Sequence, residues 1–303
     1  MHGARLALEV LDDDDPRVGQ CLAAIAVASS GDTSAFGAAT EALCDWLART
    51  NDPTWAAHGP FLRGWACLFD GRLDEAREHL HASLAHGPGA PLYGHVHRAL
   101  GEVAVQQGRL DEAVAHGTHA VQSAHPSESQ LARLDLAWAL GAASRIPEAR
   151  EVLASAEPLL QPSHRPTAFQ VRGDLDRWAG ALDDATVAYA EAQRWASHLG
   201  LSQSAHRTNR LLLDHERGDP GLPDALSAVL DEPAAWIQGP LRALAVRATV
   251  STGGVLFERA LTGLESDGLV WDPDAVRLLR EARRHGTSAQ AARIGAVLGP
   301  WDR

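Results

Sequence analysis

A six-residue phrase recurs along this chain at a nearly fixed interval. Gly71-Arg72-Leu73-Asp74-Glu75-Ala76 returns as Gly108-Arg109-Leu110-Asp111-Glu112-Ala113. Weaker copies follow at Ser144-Arg145-Ile146-Pro147-Glu148-Ala149 and Gly180-Ala181-Leu182-Asp183-Asp184-Ala185, so the starts lie 36 or 37 residues apart. Seven residues before each start stands a small residue: Gly64, Gly101, Ala137 and Gly173. A repeat of this period means a supersecondary unit that buries its apolar face only by stacking on its neighbours.

The chemistry of the phrase says what each unit is. Glycine tolerates the left-handed backbone that ends a helix. Asp-Glu directly after it suits the first turn of a second helix, where the dipole favours negative charge. Leu73, Ala76, Leu80 and Leu84 then follow at helical spacing. Small residues before and after the turn let the two helices approach closely. Turns are therefore expected near residues 31, 71, 108, 144 and 180, with Ala76, Ala113 and Ala185 buried where the helices cross. The 55 alanines fit close helix packing, and no alternating apolar run is long enough to build a sheet.

This pattern resembles the tetratricopeptide repeat, a unit of about 34 residues built from two antiparallel helices. That family places small residues at its eighth and twentieth positions, glycine at the fifteenth and a large apolar residue at the seventeenth. Gly64, Gly71, Leu73 and Ala76 match, as do Gly101, Gly108, Leu110 and Ala113, then Ala137, Ile146 and Ala149, then Gly173, Gly180, Leu182 and Ala185. The resemblance implies an all-α fold, a right-handed α-solenoid of about six or seven helix pairs. Repeats are expected over residues 1–232, best matched over about 54–199, with divergent helices at 233–303 continuing or capping the stack. Residues 17–48 read as an earlier pair hinged at Gly31-Asp32-Thr33, and 202–231 as a later one broken at Gly218–Gly221. Beyond Pro233, helices are expected at 234–251, 254–266, 274–285 and 288–298. Asp272-Pro273-Asp274 and Thr287-Ser288 are start signals for the last two.

Composition removes several functions. The net charge of -12 gives no general attraction to nucleic acid or anionic membrane, so neither is expected as a partner. All 27 basic residues are arginine, which excludes a P-loop lysine, a Schiff-base lysine and a kinase strand lysine. Cys21, Cys44 and Cys67 form no C-x-x-C pair and read as small buried hydrophobes in a reducing compartment. With no secretory leader pattern and no long apolar run, a cytoplasmic location is expected. Fifteen histidines include the near pairs His79/His81, His95/His97 and His116/His119. Only the last pair, at i and i+3, can share a ligand on one helix, and the sequence names no third or fourth metal ligand. No catalytic residue, metal or cofactor is expected.

The groove of such an array is the expected site. The resemblance implies that positions 2, 5, 9, 12 and 13 of each first helix face a ligand. In the first well-matched unit these include His58, Phe61 and Trp65; in the second, His95, Arg98 and Glu102. Later units supply Trp138, then Asp174, Arg177 and Trp178, and in looser register Arg210. Tryptophan anchors and arginines would suit a protein or peptide partner with apolar and acidic groups. Receptors of chaperone tails in this family use lysine and asparagine where this chain has Phe61 and Trp65, so that subtype does not fit. Gly-Arg-Leu-Asp-Glu-Ala-Arg and Ala-Gln-Arg-Trp-Ala-Ser-His-Leu-Gly-Leu are also similar to the helical sensor regions of large bacterial signalling proteins. A non-enzymatic binding scaffold is thus the expectation, with a small-molecule or peptide sensor, or an enzyme with an unfamiliar site, as alternatives.

Overall fold

A computed structural model of the chain describes residues 11–12, 15–28, 33–87, 92–123, 129–201, 204–230, 235–267 and 272–302. Among the described residues there are sixteen α-helices and no strand. They are α1 (Pro16–Ala28), α2 (Thr33–Thr50), α3 (His58–Phe69), α4 (Leu73–Leu84), α5 (Tyr93–Gln106), α6 (Leu110–Ser123), α7 (Ser129–Ala142) and α8 (Ile146–Ala156). After two short 3-10 turns come α9 (Arg165–Trp178), α10 (Leu182–His198), α11 (Ser204–Glu216), α12 (Leu222–Val229), α13 (Ala235–Thr249), α14 (Val255–Asp267), α15 (Pro273–His285) and α16 (Ser288–Leu298). No described helix is long and apolar enough to cross a membrane.

The repeated phrase forms the same turn each time. Gly71, Gly108, Ser144 and Gly180 all have positive φ, between 62° and 78°. At Gly71 the amide donates to the Leu68 carbonyl at 3.1 Å, and the Arg72 amide reaches back to Cys67 at 2.8 Å. The same two bonds recur at Ser144–Arg145 and at Gly180–Ala181. This arrangement satisfies carbonyls that the ending helix would otherwise leave unpaired. Gly218, at the expected later break, repeats it with φ 72°. The turn expected near residue 31 lies at Gly31-Asp32, outside the described residues.

Ser144 stands where the other copies have glycine, and a side chain in this region of backbone space costs about 1–2 kcal/mol. Ser144→Gly relieves that strain but gives back part of it through the freer unfolded chain. A net gain of about 0.5–1 kcal/mol is expected, read as a higher urea midpoint at unchanged slope. A lower midpoint would show that the turn is not strained.

The expected close contacts are present. Ala76, Ala113, Ala149 and Ala185 are at most 2% exposed. A Cβ added at Gly64 would stand 2.7 Å from Leu80, and one at Gly173 would stand 2.4 Å from Tyr189. In these two units the first helix therefore touches the second across a bare backbone.

The chain divides into two units, Met1–Ala104 with Glu112–Ala132, and Val105–Asp111 with Arg133–Arg303. In the first, α1 packs on α2, α2 on α3 and α3 on α4. Its core includes Phe36, Leu43, Trp46, Phe61, Leu62, Leu80, Val96 and Leu100. In the second, α9 packs on α10, α10 on α11, and α13 on both α14 and α15. The helices beyond Pro233 share one core with α11 and α12, joining Leu211, Leu226, Leu241, Leu244, Phe257, Leu261, Leu278 and Leu279. Both start signals in this region act as caps. The Asp272 side chain accepts from the Ala275 amide, and Thr287 forms a reciprocal capping box with Gln290.

Candidate functional site

The expected groove residues fall into two groups with different surroundings. In the first unit, α3 carries His58, Phe61 and Trp65 at the spacing of successive turns, and α5 carries His95, Arg98 and Glu102. Phe61 is a core residue, 5% exposed. Its ring meets Trp65 at 5.4 Å and His95 at 6.4 Å, and Trp65 lies 6.4 Å from Phe36. His58, Trp65, His95 and Arg98 are half-buried and Glu102 is exposed. Burial, aided by the neighbouring His95, pushes the His58 imidazole down to about 4, so it is neutral at neutral pH. Phe61 thus lies in the core against the half-buried rings of Trp65 and His95.

In the second unit the chain satisfies its own groove residues. Arg177 is 3% exposed, not solvent-facing as its repeat position suggests. Its guanidinium grips both carboxylate oxygens of Asp274, donates to Glu216 at 3.0 Å and to the Tyr189 hydroxyl at 3.2 Å. Tyr189 donates in turn to Asp174 at 2.6 Å, and the Trp138 indole donates to the other oxygen of Asp174 at 3.2 Å. Trp138 meets Trp178 edge-on at 5.8 Å. Arg277, on α15, adds contacts to Glu216 and Asp274. The acidic group that the sequence leads one to expect from a partner is supplied by Asp274, 97 residues away in the chain.

The electrostatics follow from crowding and burial. Burial pushes the Asp174 carboxyl up to about 6, against the pull of Arg177 and Tyr189. Burial also opposes ionisation of Asp274, yet Arg177 and Arg277 hold it below the usual carboxylate range. Burial works against the Arg177 charge as well, but Asp274 keeps its pKa well above the ordinary value. This arrangement locks α9, α10, α11 and α15 together by charge-assisted hydrogen bonds.

Arg210, the last of the expected set, is exposed and stands 3.9 Å from Asp214, one helical turn away. A separate cavity of about 200 Å³ is lined by Glu157, Leu160, Arg165, Ala168, Phe169 and Arg172. None of the three tryptophans Trp65, Trp138 and Trp178 lines it.

Sequence reasoning missed a histidine cluster in the first unit. His97 and His116 bring their Nδ1 atoms to 2.9 Å, His119 stacks on His97 at 4.9 Å, and His81 lies 6.4 Å from His116. The pairs His79/His81 and His95/His97 each contribute one member, and His116 and His119, which share a helix face, both join. The missing signal was tertiary: α4, α5 and α6 must be stacked before these rings meet. Among the described residues, no group of three or more His, Cys, Asp or Glu could hold a metal ion. No protein-family model matches this chain, and no curated protein does.

Proposed function

We propose that the chain is a helical-repeat module of the tetratricopeptide kind, a right-handed solenoid of about six or seven pairs. It binds a protein or peptide and performs no chemistry, and serves in bacterial signalling or regulation. The repeat reading is supported by the positive-φ turns at Gly71, Gly108, Ser144 and Gly180, each followed by a fully buried alanine five residues on. The binding reading is supported by the contrast between the two groups of groove positions. Arg177 and Asp174 are buried, whereas Trp65, His95 and Arg98 are half-buried and Glu102 is exposed, with Trp65 and His95 packed against the Phe61 ring. Partner contact is therefore assigned to the α3 and α5 surface, and a partner with an apolar anchor and an acidic group fits it best.

The test is selection of ligands from a random-peptide display library on the intact chain, followed by titration against variants. Trp65→Ala should weaken the selected peptides by about 30-fold or more, the loss of roughly 2 kcal/mol typical of a buried aromatic anchor. Arg98→Ala should weaken them less, and the difference should shrink at high salt. Circular dichroism of each variant separates loss of contact from loss of fold. Equal affinity for wild type and both folded variants would remove the site from this surface.

A further inference from the structure

The histidine cluster of the first unit is not used by the binding reading, and its geometry sets a condition on protonation. Two imidazole nitrogens at 2.9 Å form a hydrogen bond only if one carries a proton and the other does not. His116 Nε2 faces Glu112 Oε1 at 3.8 Å, which favours a proton on that nitrogen and a bare Nδ1. His97 Nδ1 is then the donor, leaving His97 Nε2 bare. That atom is buried and has no hydrogen-bond partner, and His97 as a whole is 5% exposed.

Every further proton is therefore unwelcome. A proton on His116 Nδ1 either sets two N–H groups head to head or moves the His97 proton to Nε2, where it is buried with no acceptor. A proton on His97 Nε2 creates a buried cation with no acceptor. His119 from α6 and His81 from α4 add like charge when they ionise, Tyr93 on the same helix meets the His97 ring edge-on at 4.6 Å, and Glu112 is the carboxylate that faces His116. The spacing is that of a proton rather than a metal, since two nitrogens sharing a tetrahedral zinc would stand about 3.3 Å apart.

We propose that the His97–His116 pair is an acid-sensitive latch, holding α5 against α6 when neutral and releasing it when the pair takes up protons. Burial, followed by the charges of His116, His119 and His81, pushes His97 down to about 4 from 6.5. In the open or unfolded chain it titrates near 6.5, so that state binds more protons between pH 6.5 and 4. Stability held by the latch is fully present above 6.5 and is lost as pH falls through this window.

The test combines two measurements on the intact chain between pH 7.5 and 4. Histidine ring chemical shifts should show His97 neutral well below pH 6, with Nδ1 protonated. Hydrogen exchange, corrected for the intrinsic pH effect, should show α5 and α6 amides losing protection by about tenfold per pH unit for each proton taken up. His97→Gln should remove about one such factor from the slope, leaving the share of His58, which shifts in the same direction. An unchanged slope in that variant, or His97 titrating near 6.5 without loss of protection, would overturn the latch. If His97→Gln fails to fold, the wild-type ring titration decides alone.

Discussion

Arg177→Ala is expected to destabilise the second unit by about 3–5 kcal/mol, the usual cost of removing one partner from a buried ion pair. The variant leaves Asp274 and Asp174, each about one-twentieth exposed, without their main counter-charge. Glu216 and Tyr189 lose a donor at the same time. Arg277 remains 3.3 Å from Asp274, which places the loss towards the lower end of that range. The position would lower partner affinity only through damage to the fold, and urea titration followed by tryptophan fluorescence reads this directly. Replacing both ends, Arg177→Met with Asp274→Leu, should recover part of the loss, because a buried pair exchanged for apolar groups of similar size is often neutral. A single variant as stable as wild type would mean that Arg177 is not enclosed.

Gly173→Ala should cost about 2–3 kcal/mol, even though alanine is the better helix former. The new methyl would stand 2.4 Å and 2.5 Å from two carbons of the Tyr189 ring. That ring is 5% exposed and its hydroxyl is committed to Asp174 and Arg177, so it cannot move aside without breaking bonds to charged groups. Gly101 occupies the same repeat slot, but its added methyl would meet nothing nearer than the Ala113 carbonyl at 3.6 Å. Gly101→Ala should therefore stabilise by about 0.5–1 kcal/mol through helix propensity alone. The two variants, measured side by side by thermal unfolding, should move in opposite directions. A gain in stability from Gly173→Ala would show that the α9–α10 crossing is looser than these distances.

The parts of this fold that were legible in the sequence are those fixed within one repeat. Turn positions follow from glycine at positive φ, and the serine copy at 144 kept the geometry because the surrounding helix-ending bonds are the same. The buried alanines follow from the spacing of the phrase, and the last two helices from Asp272 and Thr287 acting as caps. What stayed hidden depends on partners far along the chain. Arg177 reads as a groove cation until α15 brings Asp274 to it. Asp272-Pro273-Asp274 announces a helix start, but nothing local says that its second carboxylate closes a network with α9. The histidines show the same limit, since spacing within one helix predicts faces and not which rings meet between helices.

The proposed docking surface is that of α3 and α5 in the first unit. The most direct measurement is photo-crosslinking of a display-selected peptide to chains carrying benzoylphenylalanine at Glu102 on α5 or at Val187 on α10. Both positions are exposed. The expected result is a crosslink from position 102 that unlabelled peptide competes away, and none from 187. A crosslink from 187 with none from 102 would contradict it.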